Sequence, residues 1–475
     1  MRTKFLVAAF LLCLMAFAIP IEHKYDKIFR FFSLTLVPNG MEVPSIFDKK
    51  IYFYASDIAA LFLCLLGLTW YRIPISQFFT KNGSGYLGII FLCALASIVV
   101  SPFAQYPVAY CRLLQLLTPV LLFSFVAHAF KEEEKERIIR YVLFAVVAAA
   151  CLQTVFAIAQ YFRQDWLGLR IIGEQRMQSP FGIFHAKFWI FDKIFSTVPE
   201  YFVLFRPSGT FPHPNVLGGF LALSILSSYY LIAEGTKKIR WGIGATLPFQ
   251  FFALFITFSR SALFALLLGT FVWYGLHLWK KGWKATVANR SFRFLTWMIC
   301  FSAWVNVALL YDQLAQRGGI VNYNATAQNS DKVRIHYQNV AIAMMEKNPW
   351  LGVGFHQFSL RYPSYLPKNT ESTFYLTATH NIYLLLGSET GLISLGAFLL
   401  FIGSLIIRGF RVAYSSSSFI LLSIFIAFLF IGGCDFYPLL FQQGKLMLFL
   451  IAGLLAARSK KQLELVAISD KLPAV

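Results

Sequence analysis

Charge is what this 475-residue sequence lacks first: only 13% of its residues are Asp, Glu, Lys or Arg, about half the share of a soluble domain. Acidic residues are the scarcer kind, 22 against 42 basic ones. The net charge of +20 does not make a nucleic-acid-binding domain, because the basic residues sit in short loops between apolar runs, where they set membrane orientation. Cysteine is sparse and scattered: Cys13, Cys64, Cys93, Cys111, Cys151, Cys300 and Cys434 lie in apolar runs or at their edges. With no CxxC pair and no Cys/His cluster, neither a disulfide framework nor a zinc site has support. P-loop and HExxH spacings are missing too. Gly352-Val353-Gly354 lacks both a third glycine and a βαβ setting, which excludes a dinucleotide site.

Apolar sequence fills the space that charge leaves. Hydrophobic residues make up 58% of the chain, including 51 Phe and 22 Tyr that suit lipid-facing surfaces and interfacial belts. Runs of about 20 residues, the length that crosses a hydrocarbon core, fall at 5–21, 51–71, 86–104, 109–130, 141–162, 215–234, 242–258, 261–279, 294–311, 388–407, 418–435 and 438–457. The pattern predicts an all-α integral membrane protein with about twelve transmembrane helices. Arg2 and Lys4 precede the first run, and Ala16-Phe17-Ala18 resembles a signal-peptidase site. Because so many spans follow, the run is read as an uncleaved first helix.

Lysine and arginine alternate between loops. Arg72 and Lys81, Lys131 to Arg137, Lys237 to Arg240, Lys280 to Arg293, Arg408 with Arg411, and Arg458 to Lys461 share one side, which the positive-inside rule makes cytoplasmic, with both termini. Segments 22–50, 163–214 and 312–387 fall on the other side, the last two as long extracytoplasmic insertions. Within the larger insertion, Val333, Tyr337, Val340 and Met344 form one stripe of an amphipathic helix over 331–347. Ser330 or Asp331 is expected to cap its start, and Asn348-Pro349 to end it. No fixed-period repeat or low-complexity linker divides the chain. It is read as membrane spans over 1–200, a core over 201–405, and last spans with a short tail over 406–475.

Four polar segments share the extracytoplasmic face in this topology. They are Phe205 to Asn215 ahead of the sixth span, the Thr257 to Ala262 hairpin tip, Val333 to His336 on the amphipathic helix, and Thr379 to Tyr383 entering the tenth span. Arginine near hydrocarbon is costly unless it snorkels or meets an anion. A lone arginine is explained by headgroup snorkelling or by loop carboxylates such as Asp312 and Glu371. Converging arginines would repel one another without an anion between them, and guanidinium forks match phosphate oxygens. Among the histidines, His380 is the candidate general base, although a histidine at a helix start is commonly a structural hydrogen-bonder. His213, His336 and His356 are weaker candidates. Asp435 and Lys445, near the outer ends of the last two spans, are read as a structural pair.

At these residues the sequence resembles the O-antigen ligase family of membrane glycosyltransferases. The resemblance runs through Arg206-Pro-Ser-Gly-Thr-Phe-Pro-His-Pro-Asn215, Ser259-Arg-Ser-Ala262, Arg334, Asn348-Pro-Trp-Leu-Gly-Val-Gly-Phe355, His380-Asn-Ile-Tyr-Leu384 and Glu389-Thr-Gly-Leu-Ile393. It covers roughly residues 200–405, and the first five spans match in hydropathy alone. It implies a GT-C-like polytopic architecture in a bacterial inner membrane with a periplasmic active face. The implied reaction is an inverting, metal- and cofactor-independent transfer of a glycan from a polyprenyl diphosphate carrier to an acceptor hydroxyl, a lipid A-core sugar in ligases. Arg260 and Arg334 would hold the donor diphosphate, Arg206 would line the same site, and His380 would deprotonate the acceptor. Asn215, His213, Asn381 and Glu389 would support them. A charge-neutralised diphosphate leaves readily, so arginines can stand in for a metal ion. The Phe- and Tyr-rich flanks over 181–205, Phe181 to Phe184 and Phe188 to Phe191, suit either the donor's lipid tail or a plain interfacial anchor. Ligase, polymerase on the same carrier and protein O-oligosaccharyltransferase remain open on this pattern. A twelve-span transporter or flippase is the alternative from another class, disfavoured because the arginines lie at one face and most span centres are uniformly apolar.

Overall fold

A computed structural model describes residues 2–20, 55–73, 83–169, 174, 181–184, 202–318, 325–366, 378–412 and 415–457. Segment 22–50, Phe188 to Phe191, Glu371, Lys81 and Arg458 to Lys461 lie outside the described residues. In chain order the helices are α1 (Arg2–Ala18), α2 (Ala55–Thr69), α3 (Ser84–Val100), α4 (Pro107–His128), α5 (Glu132–Arg163), α6 (Pro214–Glu234), α7 (Lys237–Ile256), α8 (Arg260–Lys281), α9 (Trp283–Ala288) and α10 (Arg290–Gly318). They continue with α11 (Ala325–Lys347), α12 (Phe358–Arg361), α13 (Ile382–Arg411), α14 (Ser416–Cys434), α15 (Tyr437–Leu440) and α16 (Gln442–Ala456).

Each apolar run expected to be a span carries a helix over most of its described residues, the last one in two pieces parted at the extended Phe441. Among the described residues eight helices, α4 to α8, α10, α13 and α14, are long and apolar enough to cross a membrane. The apolar parts of α1, α2, α3 and α16 are shorter, 10–17 residues. Large side chains such as Phe271, Leu267, Trp297 and Trp304 face outward on α8 and α10, a surface that lipid solvates and water does not. One departure from all-α structure occurs among the described residues. Phe181–Phe184 (β1) pairs antiparallel with Phe202–Phe205 (β2). Phe-Gly-Ile-Phe and Phe-Val-Leu-Phe carry aromatic and β-branched residues with strand preference, and two such stretches facing each other satisfy their backbone groups as a hairpin.

Helix α6 is the hub. Its residues from Pro214 to Ile232 are all buried, and α5, α7, α8 and α14 pack around it. Two glycines let its start be crowded. A Cβ on Gly218 would lie 3.0 Å from Ser259 Cβ, and one on Gly219 would overlap the Tyr437 hydroxyl. The α7–α8 tip and the α14–α15 turn therefore both approach the N-terminal end of α6.

The amphipathic helix begins at Ala325, six residues before the expected start, so Asp331 is an interior residue and not its cap. Its expected stripe is buried: Tyr337, Val340 and Met344 pack with Phe358, Tyr362 and Leu385. The long α13 starts at Ile382, capped by Asn381, and is broken at Gly391 (φ 83°). There the chain meets the 349–354 loop, where Leu392 N–H donates to Pro349 O at 2.7 Å and Val353 N–H to Ser388 O at 2.9 Å.

Candidate active site

All four polar segments named from the sequence meet at one end of the bundle, joined by a fifth, the Cys434–Asp435 end of α14. The loop before α6 is held by α5: Gln160 Oε1 accepts from Gly209 N–H at 2.8 Å and Gln153 Oε1 from Thr210 N–H at 2.9 Å. Gly209 is in the left-handed region (φ 59°), open to glycine at little cost. Arg206 stems from this loop and donates Nε to Thr257 O at 2.9 Å and Nη2 to Asn215 Oδ1 at 3.0 Å. It thus ties the loop to both the α7–α8 tip and the start of α6. The tip carries a buried non-glycine residue in the left-handed region, Phe258 (φ 50°), a conformation that the surrounding packing must enforce. Two residues later, Arg260 opens α8.

Arg260 Nη2 donates to Asp331 Oδ1 at 2.5 Å, in a pair with both side chains one-third exposed. Asp331 and Arg334 are one helical turn apart on α11, so that turn faces the tip with one side chain of each sign. Arg334 Nη1 donates to Cys434 O at 3.4 Å. Each arginine thus has a partner within the protein: Asp331 takes Arg260, Asn215 and Thr257 O take Arg206, and the α14 carbonyl end takes Arg334. The carboxylate facing Arg260 comes from α11; Asp312, the loop acid proposed for such pairing, is not its partner.

His380 lies just ahead of α13, with Nδ1 3.4 Å from Asp435 Oδ1. The contact is electrostatic and stops short of hydrogen-bond geometry. The imidazole rests on the Phe436 ring, centroids 4.7 Å apart. Asp435 is buried, and its other oxygen accepts from Asn215 Nδ2 at 2.8 Å. Burial alone would raise this carboxyl, but His380, Arg334 and His213 more than offset it and hold it well below the usual carboxylate range. Asp435 is therefore a carboxylate turned toward the histidine. With Nδ1 facing it, Nε2 is the nitrogen directed away. A base oriented by a third group is the arrangement that activates a hydroxyl.

Sequence reasoning missed Asp435 and paired it with Lys445. That pairing is corrected: ten residues and the α15 turn separate the two, and Lys445 lies instead with Arg112, His356 and Asp57. The available signal was a single acid closing a span at the same end as three arginines. Asn381 caps α13, accepting from Tyr383 and Leu384 N–H at 2.9 and 3.1 Å. His213 Nδ1 accepts from Asn215 N–H at 3.0 Å and caps α6. Burial, reinforced by Arg206, pushes His213 down to about 3, leaving it neutral. Glu389 stands apart from this cluster. Its Oε2 accepts from His356 N–H at 3.0 Å and its Oε1 from Phe358 N–H at 3.1 Å, anchoring the loop that Gly391 also receives. His336 is engaged with the Tyr362 hydroxyl at 2.8 Å.

Comparison with known proteins meets this cluster from outside. A "General O-oligosaccharyltransferase" of Acinetobacter baylyi (strain ATCC 33305 / BD413 / ADP1) is 26% identical over 191 residues, 38% of this chain and 31% of that protein. The chain thus spans about a third of the length of the curated relative it matches. The family model described as O-Antigen ligase matches residues 245–399, a stretch that takes in Arg260, Asp331, Arg334, His380 and Glu389 and leaves Arg206, Asn215 and Asp435 outside. Residues 245–399 of this chain are therefore similar to the O-antigen ligase family, about a third of its length.

Proposed function

We propose that the chain transfers a glycan from a polyprenyl diphosphate carrier to an acceptor hydroxyl, without a metal ion and with inversion at the sugar. The observation carrying this reading is the meeting of a carboxylate-oriented histidine with two arginines from separate helices at one end of the bundle. In the mechanism, Arg260 and Arg334 neutralise the leaving diphosphate, and Arg206 stiffens the loop beside them. His380 Nε2 takes the acceptor proton, and Asp435 balances the imidazolium charge that forms. Twelve spans in a GT-C-like arrangement, both termini cytoplasmic, would set this end at the periplasmic face of a bacterial inner membrane, with 201–405 as the functional core.

For the acceptor we favour a lipid A-core sugar. A protein hydroxyl is the second reading, because the Acinetobacter baylyi relative is named as an O-oligosaccharyltransferase. Polymerisation on the carrier is a third use of the same chemistry. Deleting the gene and resolving surface glycolipids and glycoproteins on gels separates them. Loss of all long-chain glycan from lipid A-core supports the ligase, loss from proteins the transferase to protein, and retention of one capped unit the polymerase. Reconstituted transfer that survives both Arg260→Ala and His380→Ala would overturn the catalytic assignment, and solute movement in proteoliposomes would favour a transporter.

A further inference from the structure

A second charged pocket lies away from His380, between α3, α4, α13 and α16. It is a partly open cavity of about 60 Å³. Leu87, Val120, Phe398 and Phe449 give it apolar walls, and Arg112, His356, Glu389 and Lys445 face it at its polar part. Lys445 is only 5% exposed. Among the described residues no carboxylate lies within 4 Å of its ammonium, and Asp57 acts on it from farther away. Asp57 itself accepts from Thr118 at 2.9 Å and Gln442 at 2.7 Å. Glu389 is turned to the backbone N–H groups of His356 and Phe358. His356 is held neutral, first by burial and then by Arg112 and Lys445 together. The lining therefore carries two cations against one carboxylate.

An ammonium removed from water needs a counter-charge or it is costly. Here the space beside it is open and the remaining wall is hydrocarbon. We propose that this pocket binds the phosphate of a membrane amphiphile, with the headgroup against Lys445 and Arg112 and an acyl or prenyl chain along Val120, Phe398 and Phe449. Paired cations suit a phosphate, and apolar walls exclude a free, fully hydrated one. The inference does not rest on the glycan-transfer reading, since it concerns a different set of residues.

Titration of the purified full chain in neutral detergent with dioctanoyl phosphatidic acid, against dioctanoylglycerol as uncharged twin, tests it. The phosphate lipid should bind at least about tenfold tighter, Lys445→Gln should lose about that factor, and Lys445→Arg should restore it. Equal binding of the two lipids, or no effect of Lys445→Gln, overturns the proposal. A diazirine in the acyl chain supplies a readout on the unaltered protein: labelling of α3, α4, α13 or α16 peptides supports the site, and labelling confined elsewhere refutes it. Parallel titrations with farnesyl phosphate and an acylated glucosamine phosphate distinguish carrier lipid and glycolipid from bulk phospholipid, the tightest Lys445-dependent binder naming the source. Binding should survive Arg260→Ala, so the failure of glycan transfer and the failure of this site are separable.

Discussion

The Asp435 carboxylate bridges two segments far apart in sequence, accepting from Asn215 at 2.8 Å with one oxygen and facing His380 Nδ1 at 3.4 Å with the other. A neutral amide at this position would keep the shape and lose the charge that balances a protonated imidazole. Asp435→Asn should therefore lower the turnover of glycan transfer by roughly 10²–10⁴-fold while leaving donor KM near its original value. Single-turnover rates in proteoliposomes measure this. Unchanged turnover would make Asp435 a structural residue only.

His213 predicts a pH dependence of stability. Its Nδ1 must be unprotonated to accept from Asn215 N–H, and its folded-state value is pushed down to about 3. The unfolded imidazole takes up a proton near pH 6.5 and the folded one does not, so the stability His213 contributes is complete above about 6.5. It falls as pH drops toward 3, by at most about 1.4 kcal/mol per pH unit. His213→Asn keeps a capping acceptor without the titration. Between pH 7 and 5 the unaltered protein should lose more melting temperature in detergent than His213→Asn does. Parallel curves would refute this.

Much of this architecture was legible because the signals are local. A span announces itself by an apolar run, Arg260 and His380 announce themselves by lying close to the ends of such runs, and Arg334 by its place on the amphipathic stretch between them. The stripe Val333, Tyr337, Val340, Met344 was readable for the same reason. What escaped was non-local. Asn215 and Asp435 are 220 residues apart, and no spacing rule links them. Asp331 looked like a helix cap because its tertiary partner Arg260 lies 71 residues away. The β1–β2 hairpin was hidden because Phe-rich sequence reads equally well as an interfacial anchor, and only the pairing of Phe181 with Phe205 distinguishes them.

Asp331 holds Arg260. An ion pair one-third exposed on both sides contributes only about 0–1 kcal/mol, so Asp331→Asn should fold normally. If the donor diphosphate must displace Asp331, the variant should bind donor several-fold more tightly, with KM falling and turnover little changed, about 1 kcal/mol in binding. Inhibition by a non-transferable prenyl diphosphate gives the same reading without chemistry. A KM that rises would instead make Asp331 the group that aims Arg260.

Glu389 belongs to the matched stretch and was expected beside the catalytic residues, yet its two oxygens accept from the N–H groups of His356 and Phe358. Its role is to anchor the loop that packs against the α13 break at Gly391. Glu389→Gln presents an NH₂ to one of those N–H donors, leaving it unsatisfied at a cost of about 1–3 kcal/mol. The expected outcome is a lower melting midpoint with turnover within about threefold of the original at a temperature where both proteins are folded. His380→Ala should do the opposite, sparing the melting midpoint and removing turnover, because among the described residues the imidazole's close partners are the Asp435 carboxylate and the Phe436 ring. A Glu389→Gln turnover loss as deep as that of His380→Ala would place Glu389 in the chemistry and not in the scaffold.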